Sequence, residues 1–146
     1  MTTKEYLALS TNAQEALVAK HVFGCKVAVG KGQPNTDHFW QEDFQYCDCN
    51  GTWPAHGQSH PLMQRTILPY TSNMERAWEV VEQMRRDCCC ITIRTPTSEP
   101  MECEMVPGSW TGNMEHEAYT GHSDPSAPMA ICIAALKVKG VIVDVP

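Results

Sequence analysis

Three things are scarce in this chain of 146 residues: charge, aromatic rings and unbroken apolar length. Only 19% of the residues are charged and 8% aromatic. Eleven basic residues face 17 acidic ones, a net charge of −6, and no cluster of five or more lysines and arginines occurs. This excludes nonspecific nucleic-acid binding by counterion release. The longest apolar stretch, residues 127–136, is ten residues long, against the roughly 20 needed to cross a bilayer. No membrane partner is therefore expected. The amino end lacks the charged-then-apolar pattern of a secretory signal, so the expected location is the cytoplasm. No nucleophile elbow, phosphate-cradling glycine motif or repeat is present. What is there is a 42% hydrophobic composition in a length that buries roughly two thirds of its unfolded surface. One globular domain is expected over residues 1–146, with a loop-rich insertion at 34–69.

Cysteine is plentiful, with eight residues. In a secreted chain that count would suggest a disulfide scaffold, but without an export signal reduced thiols are the default. Cys88, Cys89 and Cys90 run into Ile91-Thr92-Ile93, where a free thiol serves as a small apolar side chain on a strand. These three, with Cys103 and Cys132, are expected to be reduced and at least partly buried.

Local signals divide the chain into helices and short strands. Thr11-Asn12-Ala13-Gln14 has the form of a capping box ahead of an apolar stripe, predicting a helix over residues 12–23 stopped by Gly24. A strand over 25–29 follows, and a small hairpin is expected at 48–53. Ser72-Asn73-Met74-Glu75 is a second capping box. Met74, Ala77, Trp78, Val81 and Met84 then recur at helical spacing and are expected to face the core. Residues 88–95 and 101–106 read as a hairpin, with Met101, Cys103 and Met105 alternating against Glu102 and Glu104. Residues 107–125 read as loop. Residues 127–136 are apolar nearly all round, which fits a central buried helix capped by Ser126 or Asp124. The tail 141–146 has β character and is expected to be an edge strand. Three helices against a small, mostly antiparallel sheet make an α+β domain, layered as an α/β/α sandwich.

Three segments carry a family resemblance: LVAKHVFGCKV from Leu17, PYTSNMERAWEVVEQM from Pro69, and APMAICIAALK from Ala127. In this order they resemble the phage ABA-sandwich domain family of small bacteriophage and prophage proteins. The resemblance implies an α/β/α sandwich and a phage accessory role with no established biochemical activity, and it transfers no catalytic residue. The chain departs from the family pattern in the Cys- and His-bearing stretch 36–68 and in the tail.

Two constellations could carry chemistry. Cys47, Cys49, His56 and His60, with His38 as a spare, could hold a structural zinc in a bent loop. The spacing is not one of the common zinc signatures, so packed thiols and exposed loop histidines describe the same residues, and no cofactor is expected by default. Glu115-His116-Glu117 with His122 and Asp124 could act in acid–base chemistry, or be an ordinary solvated loop. A third reading is binding. The helix starts at Ser72 and Ser126 offer free N–H groups to a phosphate. Tyr70, Trp110 and Tyr119 are candidates to stack on a base, with Asn73 beside them and Arg76 as a cation.

The function expected on these grounds is a non-enzymatic phage accessory protein that binds and sequesters a small host-derived ligand, possibly an anionic nucleotide immune signal. The rivals are an enzyme hydrolysing such a ligand through the Cys/His or His/Glu groups, and an adaptor that blocks a host protein. The apolar tail further suggests a homo-oligomer.

Overall fold

The computed structural model describes residues 1–30, 44–47, 67–87, 89–94, 101–108, 118–123 and 126–145. The elements in order are α1 (Thr3–Leu7), α2 (Thr11–His21), β1 (Val27–Gly30), β2 (Phe44–Cys47), α3 (Met74–Arg86), β3 (Cys89–Arg94), β4 (Met101–Pro107), β5 (Tyr119–Ser123) and α4 (Ala127–Val138). β3, β4 and β5 form an antiparallel sheet in that order, and β1 and β2 a separate antiparallel ribbon. The domain is an α+β sandwich with four helices among the described residues, where the sequence pattern suggests three.

α4 is the centre. Every residue from Ala130 to Leu136 is buried, because this helix is apolar all round and is enclosed by β4 and β5, α3 and α2. Cys103 and Met105 of β4, fully buried, face it, while Glu102 and Glu104 occupy the other face of the strand. Gly121 of β5 lies against this helix with no room for a side chain. A methyl group there would overlap the Ala130 carbonyl oxygen and come 2.6 Å from the Ala134 amide nitrogen. The expected loop at 107–125 therefore contains a strand. Its sequence, YTGHS, is poor in branched apolar residues because the backbone itself, bare at Gly121, packs on the helix.

The helix ends follow local chemistry with one-residue slips. Asn73, not Ser72, caps α3, its Oδ1 accepting from the Arg76 amide at 3.1 Å. The Pro69 carbonyl takes the Asn73 amide at 3.0 Å, and this turn leaves Asn73 as the last extended residue. Ser10 caps α2 one residue ahead of the expected box, and Ser126 caps α4 as expected. α4 ends in a Schellman motif on Gly140, with Val141 N–H bonded to the Leu136 carbonyl and Gly140 N–H to that of Lys137 (2.9 Å each).

Other expectations need correction. In α3 the buried face is Ala77, Val80, Val81 and Met84, so Trp78 is 49% and Met74 44% exposed. Val80 draws the face round and leaves those two on its flank. β1 begins two residues later than expected. Cys90 is exposed because residues alternate faces on β3, whereas Cys89, Cys103 and Cys132 are buried free thiols. Cys88 and the hairpin expected at 48–53 lie outside the described residues, and β2 lies within a stretch read as irregular. α1 was not foreseen, since five residues with one buried anchor, Tyr6, show no periodicity.

The tail residues 141–145 form no strand. They are clasped to the amino end instead. The Met1 ammonium donates to Val141 O at 3.2 Å and Val143 N–H donates to Met1 O at 2.8 Å. Asp144 accepts from Thr3 N at 2.7 Å and Thr3 Oγ1 at 2.6 Å, and it pairs with Lys137 at 2.8 Å. The Lys137 ammonium first, and then the two Thr3 bonds, hold the Asp144 carboxyl well below its usual range.

Candidate functional site

The starts of α3 and α4 meet on one short segment, residues 70–73. Ser126 Oγ, while capping its own helix, donates to the Thr71 carbonyl at 3.4 Å, and Cys132 Sγ donates to the Tyr70 carbonyl at 3.4 Å. Thr71 is 3% exposed and turns its hydroxyl inward, donating to Glu15 Oε1 at 3.4 Å. Thus α2, the 70–73 turn and α4 are joined by a polar line that runs from the helix starts into the interior.

Glu15 is the unusual member. Its side chain is on the buried face of α2, 8% exposed, and among the described residues no cation pairs with it. Burial pushes its carboxyl up to about 7, and the Thr71 hydroxyl pulls it back only in part. The groups around it stay neutral. Burial raises the Cys132 thiol and the Tyr6 hydroxyl, with Glu15 adding to both. Burial pushes the Cys103 thiol up to about 12, with Glu102 and Glu104 adding to it. Such thiols hold their protons at neutral pH and are poor nucleophiles, whereas Glu15 exchanges its proton there.

The residues singled out by sequence fall in several places. Ser72 and Asn73 are exposed at the α3 start and Ser126 stands beside them. Tyr70 is fully buried and stacks on Phe23 with ring centroids 4.9 Å apart, so its ring is spent on the core. Arg76 is ion-paired to Glu79 on the same helix. Tyr119 lies near the far end of α4, where it lines a cleft of about 490 Å³ with His122, Lys137 and Asp144. That is roughly ten residues of helix, about 15 Å, from Ser126, so Tyr119 does not join the others. His122 is on β5, not in a loop, with Nδ1 3.7 Å from Glu102. Trp110, Glu115, His116, Glu117 and Asp124 lie outside the described residues, as do His38, Cys49, His56 and His60. Cys47 ends β2 opposite Val27. Among the described residues no group of three or more His, Cys, Asp or Glu is placed to hold a metal.

Glu15 and Thr71 were missed from sequence. The signal was present: Glu15, Val18, Ala19 and Val22 stand at i, i+3, i+4 and i+7, which puts a carboxylate on an apolar stripe.

A sequence model of the phage ABA sandwich domain matches residues 16–136. The chain belongs to that family. The matched stretch opens one residue after Glu15 and closes at Leu136, so the family's sandwich contains the 70–73 turn and most of α4. No curated protein and no solved structure matches the chain. In this phage ABA sandwich protein no helix is long and apolar enough, among the described residues, to cross a membrane.

Proposed function

We propose that this phage protein binds and sequesters a small anionic host ligand, with a nucleotide signal as the chemistry that fits, and that the adjoining starts of α3 and α4 form the binding end. The observation that carries the reading is the Ser126–Thr71 bond, which ties two helix amino ends side by side. Each such end is the positive end of a helix dipole, and two together attract a phosphate more strongly than one, although the caps take the Arg76 and Met129 N–H groups and Pro128 has none, which leaves the first-turn amides before them to the ligand. Ser72 and Asn73 are exposed there and supply further polar contacts. Glu15 lies beneath, and a carboxyl that is only partly ionised near neutral pH opposes an anion less than an ordinary one would.

The test is to incubate the protein with a nucleotide pool, wash, heat-denature and analyse what is released. Intact nucleotide supports sequestration. A hydrolysed product supports the enzyme alternative, and retention of a polypeptide with no nucleotide supports an adaptor. Asn73→Asp and Ser126→Asp keep a capping side chain but place a negative charge at each helix start. Each is expected to reduce nucleotide retention at least about tenfold with little change in melting temperature. Unchanged retention would move the site elsewhere.

A further inference from the structure

β3 is bonded along one side only among the described residues, to β4. Between α3 and β3 lies a groove of about 630 Å³ lined by Trp78, Val81 and Arg85 of α3 and by Cys89, Cys90, Ile91 and Ile93 of β3. Trp78 is half exposed in this groove, and Met74, one turn earlier, is 44% exposed. A strand edge with no paired strand among the described residues, flanked by exposed aromatic and aliphatic side chains, is a template for another strand.

We propose that the occupant is a second copy of this chain, with β3 pairing antiparallel to the partner's β3 across a twofold axis at Thr92. Three features select this partner. The first is register. Continuous faces require inner-face residues to oppose inner-face residues, and centring on Thr92 sets Ile91 against Ile93 twice, Thr92 against Thr92, and Cys90 against Arg94. Aliphatic and threonine pairs are favourable cross-strand neighbours, and no like charges meet. Centring on Thr92 also keeps the joint clear of Cys89, which is buried beside the α3–β3 connection. The second is charge. α3 carries Glu75 in its first turn and Arg85 and Arg86 in its last, while Arg76 pairs with Glu79 and Glu82 lies 3.2 Å from Arg85 within the same copy. The axis relates the two copies of α3 antiparallel, bringing exposed Glu75 of each opposite Arg85 of the other, whose side chain is 63% exposed. The third is that the rival self-partner, the apolar tail, is already held by Met1, Thr3 and Lys137. The outcome is a six-stranded sheet with the two Trp78 side chains covering the joint.

Light scattering over a concentration series is expected to show a species of twice the monomer mass. Glu75→Arg should weaken it at least about tenfold, and adding Arg85→Glu should restore it. In a Cys90→Ser background, Thr92→Cys should cross-link through a short bifunctional thiol reagent, the 92–92 link being identified by peptide mass and well above the Cys90→Ser parent. Opposed Cβ atoms in such a pair lie about 5 Å apart. A monomer at every concentration overturns the proposal, as does a dimer that gives no 92–92 link or one that the charge exchange fails to rescue.

Discussion

Replacing Glu15 by glutamine should stabilise the protein at pH 8 and remove part of its pH dependence. In an unfolded chain this carboxyl ionises near its ordinary value of 4.5, and in the folded protein at about 7. The folded state thus holds a proton that the unfolded state has released throughout the window from about 4.5 to about 7. Over that window stability falls as pH rises, by about 1.4 kcal/mol per pH unit, and the loss is complete above pH 7. The accumulated cost is about 3 kcal/mol. Glutamine keeps an oxygen to accept from Thr71 but brings an amide N–H group with no assigned acceptor, which returns about 1 kcal/mol. The expected gain at pH 8 is therefore about 2 kcal/mol, and near pH 5 the two proteins should agree within about 1 kcal/mol. Thr71, Tyr6 and Cys132 face Glu15, and none of them titrates in this window. Asp144 works with the opposite sign, losing its contribution only as pH falls below about 4, and it cancels in the comparison. Urea unfolding from pH 5 to 8.5, followed by circular dichroism, measures the difference. Parallel curves for the two proteins, or a less stable variant at pH 8, would refute the reasoning.

Three further outcomes are expected. Gly121→Ala should cost more than about 3 kcal/mol or prevent folding, because its methyl group meets the backbone of α4 and neither side can give way; a melting temperature within a degree of the parent would contradict the close packing. Asp144→Ala should cost about 1 kcal/mol, the value of a helix-start carboxylate discounted for its 43% exposure, and should release the tail to faster amide exchange at Val143; unchanged exchange would show that the clasp is not held by this side chain. Trp78→Ala should cost under about 1 kcal/mol in dilute protein, since the side chain is half exposed, and a loss of 3 kcal/mol or more would place it in the core after all.

Helices α2, α3 and α4 were legible because their signals are local: a hydroxyl or amide cap on each, a stripe at helical spacing in α2 and α3, an all-apolar run in α4, and a glycine at the stop of α2 and α4. What local signals could not fix was rotation. Met74 and Trp78 share the period of the α3 stripe, and only the addition of Val80 to the buried face shows which edge is inside. β5 was hidden for another reason, because its place in the sheet is secured by the bare backbone at Gly121, a feature that reads in sequence as a turn. The tail has the composition of a strand, yet Asp144 finds Thr3 and Lys137, partners that no pattern in residues 141–146 announces. Of the candidate site, the helix starts at Ser72 and Ser126 were visible, the first one residue early, but their adjacency, and Glu15 beneath them, depend on contacts more than 50 residues apart.

Because α4 is the common neighbour of the sheet, α2 and α3, the order of synthesis works against this domain. The ribosome releases residues 1–123 before the helix that covers them exists. Until residues 127–138 emerge, Cys103 and Met105 on one side and Val80 and Met84 on the other lack the surface they pack on in the finished protein. Early segments can form turns and hairpins but no closed interior, so native collapse is a late, concerted event set by long-range contacts. A ribosome stalled before Ala127 would leave a nascent chain with its apolar faces uncovered, a substrate for holding chaperones.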